Sequence, residues 1–226
     1  QCSSSGYTPL RLALELKKEK LVSQLLSHPS IGPSINQPDR NGHTPLHIAI
    51  LKGNAEIVSE LLKRDDIKDS VNKVSPRDGS TPLHLALKGD SDIALRLLAR
   101  DDIGPSINRP DQNGFTPLYH AIKKGNVDIM TQLLSRPDIV ESINKPGRFN
   151  KKTPLHNASQ NGHFEMTKRL LEKGVDINAT DKAGYTPLYE ASQNGHLEVT
   201  KLLLEKGANV NSQNKVGETP LLNVIK

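Results

Sequence analysis

The tripeptide Thr-Pro-Leu occurs seven times in this chain, beginning at Thr8, Thr44, Thr81, Thr116, Thr153, Thr186 and Thr219. Successive copies stand 36, 37, 35, 37, 33 and 33 residues apart. A Leu-Leu pair closes each of the first six intervals, at Leu25-Leu26, Leu61-Leu62, Leu97-Leu98, Leu133-Leu134, Leu170-Leu171 and Leu203-Leu204. A period of this length marks a stacked array, in which a module that cannot bury its own apolar face leans on its neighbours. The 226 residues then divide approximately into repeats 6–41, 42–78, 79–113, 114–150, 151–183, 184–216 and a partial 217–226, all within a single domain 1–226. Hydrophobic residues make up 35% and aromatic residues 3%, thin for one large core but suited to many small, similar contacts.

Each module reads as two helices and a turn. In the sixth, Thr186 is a good N-cap and Pro187 sits at the first helical position, where its missing N–H costs nothing. Leu188 and Ala191 share one face, and Gly195 ends the short helix in the left-handed conformation. Val199, Leu202 and Leu203 then mark the buried stripe of a second helix that stops at Lys206 and Gly207. Asn54, Asp90 and Asn126 are the corresponding second-helix caps. Glu56, Asp92, Asp128, Glu165 and Glu198 follow two places on, facing the positive end of the helix dipole. The first module departs, with Lys18 and Lys20 at these places and Lys17 where later modules have Gly.

The segments Thr44-Pro45-Leu46-His47-Ile48-Ala49 and Thr81-Pro82-Leu83-His84-Leu85-Ala86 carry the Thr-Pro-Leu-His-x-Ala signature of ankyrin repeats. Asn161-Gly162-His163 with Leu170-Leu171-Glu172-Lys173-Gly174, and Asn194-Gly195-His196 with Leu203-Leu204-Glu205-Lys206-Gly207, resemble the family consensus. The resemblance covers nearly the whole chain. It implies an all-α ankyrin-repeat solenoid of helix-turn-helix units joined by β-hairpin-like turns, a protein-binding scaffold, and no catalytic site, metal or cofactor. Irregular repeat length and Asn/Lys-rich connections also resemble ankyrin effectors of intracellular bacteria, so a second reading makes the chain the targeting arm of a larger effector, toxin or enzyme.

Departures from the consensus carry expectations. The first four intervals are long because Pro29–Asn36, Asp101–Asn108 and Pro137–Asn144 replace the consensus Gly end with a recurring connection. One residue is missing between Ala86 and Leu97, which predicts a tightened end to that inner helix. The seventh Thr-Pro-Leu has no second helix before Lys226. Since a solenoid end needs a polar cap, the chain is expected either to continue or to fray at Leu221 and Leu222.

Chemistry is scarce. His47, His84 and His156 recur once per module, so stacking holds them about 10 Å apart. Metal ligands converge within about 2.1 Å of one ion, so these histidines read as ties on the turn before each helix. Cys2, the single cysteine, has no His nearby in sequence and permits no internal disulfide, which fits a reducing, cytoplasmic setting or delivery into a host cell. The acids at second-helix starts answer the dipole, and Asn157-Ala158-Ser159 and Asn178-Ala179-Thr180 match the glycosylation acceptor by chance. A net charge of +5 is too small for a nucleic-acid footprint unless clustered, and no 18-residue apolar run is present for membrane insertion.

Binding candidates are the residues the repeat does not need. Before each Thr stands a tip residue, expected in solvent beside a concave face: Tyr7, His43, Ser80, Phe115, Lys152, Tyr185 and Glu218. Tyr7, Phe115 and Tyr185 place aromatics there, the type that dominates interface hot spots, although local packing between tips would use them equally. Arg40, Gln112, Arg148 and Phe149 lie in the same turns, and Leu51, Lys52, Lys88, Lys123, Lys124, Gln160 and Gln193 at the exposed ends of inner helices. Lys123 and Lys124 with Arg148, Lys151 and Lys152 concentrate positive charge, either a solvated face or a landing site for an acidic segment of another protein.

Overall fold

The computed structural model describes residues 8–220, so Cys2, Tyr7, Leu221 and Leu222 lie outside the described residues. The chain forms two compact units, residues 1–112 and 113–226. In the first, α1 (Pro9–Glu15), α2 (Glu19–Leu26) and the short α3 (Gly32–Ile35) set a pattern repeated by α4 (Pro45–Leu51), α5 (Ala55–Leu62) and α6 (Lys68–Val71), and by α7 (Pro82–Lys88), α8 (Ser91–Leu98) and α9 (Gly104–Ile107). The second holds α10 (Pro117–Lys124), α11 (Val127–Ser135), α12 (Val140–Ile143), α13 (Pro154–Gln160), α14 (Phe164–Glu172), α15 (Pro187–Gln193) and α16 (Leu197–Glu205). Inner helices α1, α4 and α7 pack in series in the first unit, and α10, α13 and α15 in the second. No β-strand occurs among the described residues; the turns are hairpins closed by backbone bonds such as Asp39 N–H to His43 O and Gly42 N–H to Asp39 O, both at 2.9 Å.

Every inner helix begins where the Thr-Pro pair predicts. Thr8, Thr153 and Thr186 accept the N–H three residues on at 3.2–3.4 Å. The histidines are helix ties. Thr44, Thr81 and Thr153 each donate their own N–H to Nδ1 of His47, His84 and His156 at 3.2 Å, closing reciprocal capping boxes. Asn54, Asp90 and Asn126 cap the second helices as expected. In the last two modules the cap position belongs to His163 and His196, which make no side-chain cap; His196 Nε2 instead meets Gln160 O of the previous inner helix at 2.9 Å.

The glycine between the helix pairs has a measurable role. Gly53, Gly125, Gly162 and Gly195 take φ of 68° to 71°, the left-handed region. The third module lacks that step: Gly89 has φ −105° and donates to both Leu85 and Ala86 carbonyls at 3.0 Å, the tightened end that its missing residue demands. In the first module Lys17 is forced to φ 53°. A non-glycine residue there costs about 1–2 kcal/mol, so Lys17→Gly is expected to raise stability by about 1 kcal/mol, seen as a higher urea midpoint.

The long connections are more than loops. Each forms a 3-10 turn followed by one helical turn, and each buries two aliphatic side chains: Ile31 and Ile35, Ile67 and Val71, Ile103 and Ile107, Ile139 and Ile143. Burying a side chain of this size contributes about 1.5–3 kcal/mol before ordering costs. Arginine secures the start of the turn. Arg64 forks onto Asp66 at 2.8–2.9 Å and donates to Leu26 O at 2.7 Å, satisfying a carbonyl at the end of α2. Arg100 repeats this with Asp102 and Leu62 O. Asparagines then join neighbours: Asn72 Nδ2 donates to Asp102 O at 2.7 Å while Ser106 Oγ donates to Asn72 Oδ1 at 2.6 Å.

Candidate protein-binding surface

The tip residues do not stand in solvent as expected. Ser80 is buried, donating to Asp78 Oδ2 at 2.8 Å, and His43, Phe115, Lys152, Tyr185 and Glu218 are half-buried. The cause is local. The hairpin turns the tip side chain back over the residue four places on, the third side chain of the inner helix. His43 stacks on His47 at 5.6 Å between ring centroids, Phe115 on Tyr119 at 3.9 Å, and Tyr185 on Tyr189 at 4.3 Å. Gly147 is required by this arrangement, since a Cβ there would approach Phe115 Cε1 to 2.9 Å. Tyr189 donates its hydroxyl to Glu218 at 3.0 Å, and burial, followed by Glu218, raises its pKa.

In the first unit, Leu51, Lys52 and Arg40 are exposed. Leu51 and Ile48, with His43 and the Arg11–Asp39 ion pair (3.2 Å), line an open groove of about 410 Å³. Lys88 is exposed but turns back to Ser80 Oγ at 3.3 Å and to the buried carboxylate of Asp111 at 3.5 Å. Gln112, also exposed, donates from its amide to Arg77 O and from its backbone to Asp78 O, binding its hairpin to the previous one.

In the second unit, Lys123, Lys124, Arg148, Phe149, Lys151 and Gln193 are exposed. Phe149 is 62% exposed, with the Arg148 guanidinium 5.8 Å from its ring centroid. Lys152 is not part of an open basic cluster. Its ammonium lies 2.7 Å from Glu190, a carboxylate almost wholly buried on α15, and donates to Gln160 Oε1 at 3.1 Å. Lys152 therefore joins its module to the next through Glu190, with Gln160 of its own module as a second acceptor. The signal for this pair was an acid, Glu190, on the inner face of α15, where other modules carry Asn157 or His120.

Among the described residues, no group of three His, Cys, Asp or Glu side chains is placed to hold a metal ion, and no helix is long and apolar enough to cross a membrane. Paired helices packed in series, with each hairpin bonded to the next and side chains displayed at helix ends, define a helical-repeat binding module. The family model described as Ankyrin repeats (3 copies) matches residues 1–72, 65–144 and 136–214, and the chain belongs to the ankyrin repeat family. A solved structure described as the ankyrin repeat domain of Bcl-3, a unique member of the IkappaB protein family, is similar with a TM-score of 0.75 and 26% identity, covering 97% of this chain and 95% of that one. No curated protein matches the chain in sequence. Ankyrin repeat domains are in general non-catalytic modules that bind other proteins.

Proposed function

We propose that this chain is a protein-interaction scaffold whose partner docks on the side chains displayed at hairpin tips and inner-helix ends. The observation that carries this reading is that the inner helices are buried along most of their length and expose side chains at their C-terminal ends. Leu46, Leu118 and Leu188 are buried almost completely, while Leu51, Lys123, Lys124 and Gln193 at the ends of the same helices, and Lys52 just past α4, face water. A face built on packed helices needs little ordering on binding, which leaves more of the contact energy as affinity. The exposed faces of Phe115 and Tyr185 supply aromatic anchors already fixed by Tyr119 and Tyr189.

Affinity capture with the full chain, followed by mass spectrometry and titration of the recovered protein, tests this. Phe115→Ala or Tyr185→Ala is expected to weaken that partner by about 1–2 kcal/mol. Circular dichroism melting separates loss of contact from loss of the ring stacks. Unchanged affinity in both variants removes the tip and inner-helix face as the docking surface.

A further inference from the structure

The hairpins of the second unit sort their charges by sign. Asp181 accepts the Ala183 and Tyr185 N–H groups at 2.8 and 2.9 Å, and Glu218 accepts from Tyr189 Oη and Asn214 Nδ2 at 3.0 and 3.1 Å, so both carboxylates are turned inward. The cations point the other way. Arg148, Lys182 and Lys215 each donate a backbone N–H to the preceding hairpin, to Asn113 O, Asn150 O and Ala183 O at 3.1, 2.8 and 3.0 Å. They therefore fill one structural position in three successive hairpins, and all three side chains are exposed. Lys151 adds a further exposed cation, and among the described residues none of Lys151, Lys182 and Lys215 makes an ion pair. On the outer helices Glu165 and Glu198 pair locally with Arg169 and Lys201. Two apolar side chains stand in the same row, Phe149 and Val216, the latter 76% exposed.

Side-by-side packing of inner helices such as α13 and α15 sets neighbouring hairpins about 8–10 Å apart. A segment in the extended polyproline-II conformation advances about 3.1 Å per residue with three residues per turn, so every third side chain faces the same side and meets the next hairpin. We propose that the hairpin edge of the second unit binds an extended acidic segment of the partner protein, with Asp or Glu at every third position and an apolar residue against Phe149 or Val216. This rests on the scaffold reading and names the chemistry of its partner. Duplex nucleic acid carries one charge per about 1.7 Å of axis, far denser than this row. Single-strand binders array several open aromatic faces, whereas this row exposes one aromatic side chain, Phe149, among the described residues.

Fluorescence anisotropy on the full chain tests the proposal with four labelled probes: a peptide of about 12 residues carrying Glu at every third place around a central Leu, the same composition with its acids consecutive, oligo-dT, and phosphatidylserine vesicles. The spaced peptide is expected to bind more tightly than the other three. Its affinity is expected to fall at least about tenfold between low and physiological salt, and again in Lys182→Glu/Lys215→Glu with melting unchanged. Absence of saturable peptide binding, equal binding by the charge-reversed variant, indifference to acid spacing, or tighter binding of oligo-dT or vesicles overturns it. A captured protein partner that depends on Tyr185 but not on Lys182 and Lys215 leaves the scaffold reading standing and sinks the acidic-segment assignment alone.

Discussion

Acidifying the protein from pH 6.5 to pH 4 is expected to remove up to about 3 kcal/mol of stability from the first unit through His47 alone. His47 has no exposed surface, and its Nδ1 accepts the Thr44 N–H at 3.2 Å while lying 2.9 Å from Thr44 Oγ1. Burial, then the neighbouring His43, lowers its pKa from 6.5 to about 4. Between these values the unfolded chain holds a proton at this site and the folded chain does not. Stability is therefore complete above pH 6.5 and declines as pH falls toward 4. Protonation also removes the acceptor that closes the capping box at the start of α4. His156 and His163 act in the same direction, their pKa values lowered chiefly by burial. Asp66 and Asp102 contribute in a separate, more acidic window. The side-chain hydrogen bonds from Arg64 and Arg100 hold them below the usual carboxylate value of 3.8, so their support is lost only as pH falls below that value. Urea midpoints measured from pH 7.5 to 4 in the wild type and in His47→Gln check this. The variant is less stable at neutral pH and has a shallower pH dependence; parallel curves would remove His47 as the source.

How far the sequence reveals this molecule depends on the range of the interaction. The starts of the inner helices were legible because Thr caps, Pro at the first turn and the His of the capping box act within four residues, and all recur at Thr44, Thr81 and Thr153. The short helices after the Leu-Leu pairs were visible only as a repeated connection. Four residues such as Gly104–Ile107 are too few to show a helical period, although the paired aliphatics at Ile103 and Ile107 were its trace. The tips were misplaced because whether a side chain stands in water depends on what lies four positions on, and Phe115 and Tyr185 each find a tyrosine there. The basic cluster failed in part for a different reason. Lys152 and Glu190 are 38 residues apart, a separation at which composition shows charges but not their pairing.

That pair supplies the second large effect. Lys152→Met is expected to destabilise the second unit by about 3–5 kcal/mol, because it leaves the buried Glu190 carboxylate without its cation. The Glu190 side chain is 3% exposed and the Lys152 side chain 15%, so water compensates little, and Gln160 Oε1 loses a donor as well. Replacing both partners, as Lys152→Met/Glu190→Leu, is expected to recover most of the loss, since two apolar groups of similar volume leave no charge stranded. A thermal or urea double-mutant cycle reads the coupling directly. A single-mutant loss below about 1 kcal/mol would place the pair among surface ion pairs and return Lys152 to the open basic face. The distinction bears on function. If Lys152 holds α13 and α15 together, its removal loosens the platform on which Tyr185 and Gln193 are displayed, and partner affinity falls together with stability. If Lys152 contacts the partner instead, affinity falls while the melting curve stays where it was.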